Sequence, residues 1–165
     1  MQVNNSSAST EILRVSEQPK VSVIIPVYND IARVEACLTS LENQDYPRER
    51  FEVVIVDNGS SDGTYELLQK SVLLREGRQG LIVAQCLTPG SYAARNHGLT
   101  FATGEYVAFT DSDCIVSEQW LTVLMGTVQN EQGEVIVAGK MSFFPDQNKQ
   151  TEQSAIDFEN LFSMK

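Results

Sequence analysis

From Val21 onward, short apolar runs alternate with longer amphipathic stretches. Val21-Ser-Val-Ile-Ile-Pro-Val27 reads as a strand buried on both faces, with Pro26 near its end, where a missing N–H is tolerated. Asp30 then stands where it caps a helix in which Ile31, Val34, Leu38 and Leu41 recur at spacings of three, four and three, and Tyr46-Pro47 stops it. Phe51 to Val56 predicts a second strand, which breaks into Asp57-Asn-Gly-Ser-Ser-Asp-Gly63 before a helix from about Thr64 to Arg75 with Leu67, Leu68 and Val72 on its apolar face. Leu81 to Leu87 gives a third strand. Pro89-Gly90 turns the chain into a helix from about Ser91 to Ala102, with Gly104 as its terminator. Glu105 to Thr110 is a fourth strand ending in Asp111-Ser112-Asp113, followed by a helix from about Ser117 to Gln129 and a strand at about Glu134 to Ser142.

Strand and helix units of this length alternating along a chain imply an α/β fold with a mostly parallel sheet. Right-handed crossovers make it a Rossmann-like, doubly wound layer structure with helices on both faces. Ligands of such sheets lie off the carboxyl ends of the strands, and every polar cluster noted above falls there. The polar stretch 1–19 reads as a flexible lead-in and 20–165 as one domain.

Composition narrows the function. Apolar residues make up 42% of the chain, too many for a disordered one, and the net charge is −10. That acidity argues against nucleic acid as a partner, because a phosphate-backbone binder needs a positive surface. Nucleotide phosphates remain open to an acidic protein that recruits a metal ion. No apolar run approaches the ~20 residues of a membrane-spanning helix, and the amino terminus has no signal-peptide core. Cys37, Cys86 and Cys114 are scattered and odd in number, which suits a reducing cytoplasm. His97 is the only histidine, so a zinc site or a Ser-His-Asp triad has little to build from.

Two acidic sites stand at predicted strand ends, Asp57 and the Asp111-Ser-Asp113 pair. Carboxylates brought close repel unless a proton or cation sits between them, and a hard ion with oxygen ligands, Mg²⁺ or Mn²⁺, fits two carboxylates and phosphate oxygens. The alternative is a helix-capping Asp113 and a solvated Asp111; the buried run that delivers the pair to the ligand edge favours the metal. The Asp57 loop stays open between a tight βα turn, with Asp62 capping the next helix, and a site giving Asp57 to a nucleobase N–H. Arg95, in the predicted third helix, suits a diphosphate if it faces the crevice. His97 reads as a polar helix residue and Trp120 as a packing anchor, while Cys114, a poor ligand for Mg²⁺, is given no chemistry.

Four segments in order resemble the family 2 glycosyltransferases of the GT-A fold: Val21-Ser-Val-Ile-Ile-Pro-Val-Tyr-Asn29, Val54-Ile-Val-Asp-Asn-Gly-Ser-Ser-Asp-Gly-Thr64, Ala94-Arg-Asn-His-Gly98 and Ala102-Thr-Gly-Glu-Tyr-Val-Ala-Phe-Thr-Asp-Ser-Asp113. Each is weak alone; the ordered set is specific and covers most of residues 21 to 125. The resemblance implies metal-assisted, inverting transfer of a sugar from a UDP- or GDP-linked donor to an acceptor hydroxyl on a glycan or lipid-linked glycan. It gives Pro26, Tyr28 and Asp57 to the nucleobase, and Asn29, Asn58, Gly59 and Ser60 to the nucleotide-sugar site. Arg95 goes to the ribose or diphosphate, Asp111 to the ribose or metal, and Asp113 to the metal. Polysaccharide biosynthesis in the cytoplasm, or at the cytoplasmic face of a membrane, is the implied setting.

Rival nucleotide folds lack their signatures. No glycine stands in Tyr28-Asn-Asp-Ile-Ala-Arg33, where a dinucleotide enzyme carries G-x-G-x-x-G, and no P-loop is present. The family's general base belongs to an acceptor-side half, and no matching motif occurs before Lys165. The expectation is therefore a donor-binding part truncated before its base. The competing reading is a nucleotide- and metal-binding fragment with no transfer of its own. A sheet lacking its second half also predicts self-association through an exposed edge.

Overall fold

The computed structural model describes residues 18–74, 80–131, 133 and 135–139. The apolar runs become four strands: β1 (Val21–Val27), β2 (Phe51–Asp57), β3 (Leu81–Gln85) and β4 (Tyr106–Phe109). The amphipathic stretches become α1 (Val34–Glu42), α2 (Thr64–Leu74), α3 (Ser91–Leu99) and α4 (Trp120–Gln129), with a 3₁₀ turn at Arg48–Arg50. All pairings are parallel and the sheet order is β3-β2-β1-β4. The chain thus steps outward from β1 through β2 to β3, then crosses back to lay β4 on the other side of β1. That reversal is the switch point at which open α/β sheets leave a crevice beyond the strand ends.

Both central strands are buried along their whole length, which is why their sequences are apolar runs and not alternations. Successive side chains still part to opposite faces. Val21, Val23, Ile25 and Val27 join Val34, Leu38 and Leu41 of α1, Leu68 of α2, and Leu121 and Met125 of α4 in the larger core. Ile24, Val54, Val56 and Ala84 pack with Ala94 of α3 on the other face. Each fully buried Ile or Leu of this kind contributes about 1.5–3 kcal/mol. Helices on both faces match the doubly wound reading, and Trp120 packs at the rim of the larger core.

Several boundaries shift. The first helix begins at Val34, with Arg33 as N-cap; the Asp30 carbonyl accepts the Val34 N–H at 3.1 Å, and its carboxylate is used elsewhere. The third helix ends at Leu99 and continues only as i→i+3 turns through Ala102. Gly104 does not cap it. A Cβ there would lie 2.6 Å from the Ser22 backbone nitrogen, so glycine serves the close passage of the chain over the start of β1. The last helix starts at Trp120, three residues later than expected. The strand expected at 134–142 is not formed by residues 135–139, which have no regular structure; 134 and 140–142 lie outside the described residues. So do the lead-in to residue 17, Arg75 and the side chain of Val72.

Candidate functional site

Beyond the carboxyl ends of β1, β2 and β4 lies an open crevice of about 860 Å³. Of the predicted site residues, Pro26, Tyr28, Asn58, Gly59, Arg95, Asp111 and Asp113 line it, and Asn29, Asp57 and Ser60 do not. Those three stand next to the wall and shape it.

The β2 end is built by Asp57, which is fully buried. Its Oδ2 accepts the N–H groups of Gly59 and Ser60 at 3.1 Å each and the Gln85 amide at 3.3 Å. Gly59 takes φ +79, which lets the backbone fold back on that carboxylate. The other oxygen, Oδ1, is buried and has no hydrogen-bond partner among the described residues. A buried acceptor left open in this way favours an incoming N–H donor.

Asn58 is spent on structure. Its amide donates to the Cys86 and Thr88 carbonyls at 2.7 Å each and accepts the Gly90 N–H at 2.8 Å, fixing the segment that leads into α3. Asn29 sits in the left-handed region at φ +49, which asparagine tolerates. Its N–H donates to Ser60 Oγ at 2.9 Å, and its Oδ1 accepts the Ser61 N–H at 2.8 Å. Asp62 binds the Thr64 and Ile31 N–H groups at 3.0 and 3.1 Å, so it braces the start of α2. The Thr64 hydroxyl bond, joined by these backbone bonds, holds its carboxyl below the usual range despite the opposing cost of desolvation.

The β4 end carries the acidic pair. Arg95 reaches from α3 and donates from Nη2 to Asp111 Oδ1 at 2.5 Å. Both carboxylates are about half exposed. The buried Cys37 thiol donates to the Asp111 carbonyl at 3.5 Å; burial first, then nearby thiol and acidic groups, pushes that thiol up to about 12, so it stays protonated. Cys114 lies against Asp113 at 3.8 Å, and His97 meets Phe101 edge-on at 5.3 Å, away from any ligating role.

Three contributors were not read from the sequence. Asp30, 5% exposed, accepts Arg33 Nε at 2.6 Å and Ser112 Oγ at 2.6 Å, while Arg33 Nη1 stands 3.5 Å from Asp113 Oδ2. The Asp30 hydrogen bond raises the Arg33 pKa further above its ordinary value. The one available signal was that Arg33 is the sole basic residue between Lys20 and Arg48, just past the first strand.

Among the described residues, no cluster of three or more His, Cys, Asp or Glu is disposed to hold a metal. Two exposed carboxylates do fit a hard divalent ion that keeps open positions for water or phosphate oxygens, and do not fit a closed protein cage. No helix of the described residues is long and apolar enough to cross a membrane.

Residues 22–165 match the family model described as glycosyl transferase family 2. A curated relative, the glycosyltransferase AglE of Haloferax volcanii, is 40% identical over 128 residues, which are 78% of this chain and 41% of AglE. Staphylococcus aureus TarS 1–349, solved with UDP-GlcNAc, superposes with a TM-score of 0.58 at 36% identity over 67% of this chain and 31% of that one. The mannosyltransferase PcManGT of Pyrobaculum calidifontis, solved with GDP-Man and Mn²⁺, gives a TM-score of 0.60 at 32% identity over 68% and 32%. The chain thus spans less than half the length of each of these relatives.

Proposed function

The chain belongs to glycosyl transferase family 2, with the α/β architecture of GT-A glycosyltransferases, and we propose that its strand-end crevice is the donor site of a nucleotide-diphosphate-sugar transferase. One observation carries the reading: the acidic pair leaves β4 into the crevice at the switch point, with the Arg95 guanidinium on Asp111. A cation-binding pair beside a guanidinium suits a diphosphate, whose charge grows as it departs.

In this reading Pro26 and Tyr28, which line the crevice, flank the nucleobase, and Asp57, buried just behind that wall with no partner for its Oδ1 among the described residues, accepts a base N–H. Asn29, Asn58, Gly59 and Ser60 hold the wall around it. Asp113 and Asp111 are the ligands of Mg²⁺ or Mn²⁺, and Arg95 binds the diphosphate. The bound ion supplies Lewis-acid stabilisation of the leaving group. The donor is UDP- or GDP-linked, and the acceptor is a hydroxyl of a glycan or lipid-linked glycan. The domain spans 20–165 and works in the cytoplasm or at the cytoplasmic face of a membrane. The relatives with UDP-GlcNAc and with GDP-Man and Mn²⁺ support both donor class and ion.

Titration calorimetry of UDP and GDP with and without Mn²⁺ tests this. Metal-dependent binding of one nucleotide, lost in Asp113→Ala, is expected; no metal-dependent binding of either rejects the donor site. A second reading is donor binding without transfer. Glycoside formation by the 165-residue chain, abolished by Asp113→Ala, would reject it.

A further inference from the structure

Arg33 is held in an unusual way for a surface arginine. Its side chain is 61% exposed and lines the crevice, yet its Nε is fastened at 2.6 Å to a carboxylate that is almost wholly buried. Exposed ion pairs contribute little to stability, because two long side chains lose freedom for a screened attraction. A buried carboxylate spent on one end of an exposed guanidinium therefore sets position more than it stabilises.

That carboxylate belongs to Asp30, and both its oxygens are used. Oδ1 takes Arg33, and Oδ2 takes the hydroxyl of Ser112, the middle residue of the acidic pair. The Asp30 N–H is itself tied to Thr64 Oγ1 at 3.0 Å. One side chain thus locks Arg33, the β1 exit and the acidic loop into a single unit. The far end of the guanidinium is held loosely, by Asp113 at 3.5 Å. Across the loop Arg95 is on Asp111, so each carboxylate of the pair has a guanidinium of its own.

We propose that Arg33 is a second diphosphate-binding cation, anchored by Asp30, which makes the crevice prefer nucleoside diphosphates to monophosphates. The inference rests on the donor-site reading. Were Asp113 to hold the divalent ion, Arg33 would lose the weaker of its two ion pairs among the described residues. The anchored Nε stays, and the terminal nitrogens turn to phosphate oxygens. A planar guanidinium fixed at one end and open at the other matches this task better than an ammonium does. In the donor-site reading the nucleobase belongs to the Asp57 end and the diphosphate to the acidic pair, and it is the acidic pair that Arg33 stands beside, 3.5 Å from Asp113.

The test compares UDP with UMP and GDP with GMP by calorimetry in Mn²⁺, for the wild-type chain, Arg33→Ala, Arg33→Lys and Asp30→Asn. Removing Arg33 is expected to weaken the diphosphate about tenfold, the scale of one charge-assisted hydrogen bond, and to leave the monophosphate unchanged. Arg33→Lys restores part of the difference. Asp30→Asn, which keeps the arginine and loosens its anchor, erodes it. Unchanged diphosphate binding in Arg33→Ala overturns the proposal. Equal losses for mono- and diphosphate, with a lowered unfolding midpoint, also overturn it by making the role structural. Failure of the wild-type chain to bind either diphosphate is a different result: it rejects the donor site, and this inference falls with it.

Discussion

Single residues divide into those whose sequence neighbours explain them and those explained only by distant partners. Glu52 belongs to the second kind. It lies buried at the amino-terminal edge of the sheet and accepts Ser22 Oγ at 2.6 Å, the Thr103 N–H at 2.6 Å and the Thr103 hydroxyl at 2.9 Å, with Lys20 Nζ at 3.6 Å. Burial alone would raise its carboxyl; the Ser22 and Thr103 bonds, with the Lys20 charge, outweigh it and hold the pKa below the ordinary value. Its stabilisation is therefore complete above the unfolded-state value of about 4.3 and is lost as pH falls through the lowered folded value. Urea titrations across acidic pH should show stability falling in that window. In Glu52→Gln that acid limb should be flatter, and the chain less stable at neutral pH by on the order of 1–3 kcal/mol. An unchanged acid limb would show that other carboxylates carry it. The same division holds in the crevice: Asp111 and Asp113 are legible from the run before them, whereas Arg33 gains its meaning from Asp113, eighty residues away.

Among the elements, the pattern of apolar runs, amphipathic stretches and turn residues identified all four strands and all four helices of the described residues. It misplaced ends wherever a tertiary contact set them. Helix α3 shows why. Its Gly98 is a poor helix former by about 1 kcal/mol relative to Ala, so local propensity favours Gly98→Ala. Yet a Cβ there would stand 2.7 Å from Ile24 Cγ2 and 3.1 Å from Val56 Cγ2, both in buried strands. Overpacking of that kind typically costs 1–3 kcal/mol, more than the propensity gain. Gly98→Ala should therefore lower the thermal midpoint, and because α3 also carries Arg95, weaken Mn²⁺-dependent nucleotide binding. A higher midpoint would mean that α3 is less tightly seated than these distances imply. Gly104, expected to cap the same helix, is likewise fixed by an approach to β1 that no local pattern encodes.

For the whole molecule, sheet order decides both the crevice and the exposed edge. Strand β4 lies at one margin of the described sheet, and on its α3 side Val107 and Phe109 are 39% and 47% exposed. Parallel strands rarely leave such a face open to water, and unpaired edges recruit other chains. The isolated chain should self-associate with rising concentration in light scattering. Val107→Lys, placing a charge on that edge, should shift it toward monomer. A monodisperse wild-type monomer at high concentration would contradict this.

Local physics was enough for much of this. Apolar runs can only be satisfied by burial, amphipathic periods by a face on a sheet, and Asn-Gly-Ser-Asp clusters by turns, so strand and helix order, the parallel sheet and the acidic pair at a strand end follow from the sequence. The four ordered motifs carried the family. Tertiary structure alone decided the partners: which guanidinium meets which carboxylate, that Asp57 keeps one buried oxygen open, and that Asp30 binds Arg33 and Ser112 where helix capping was expected. Those facts depend on crossovers that bring residues tens of positions apart to within hydrogen-bond distance. A pattern with a period of two or four residues holds no information about them.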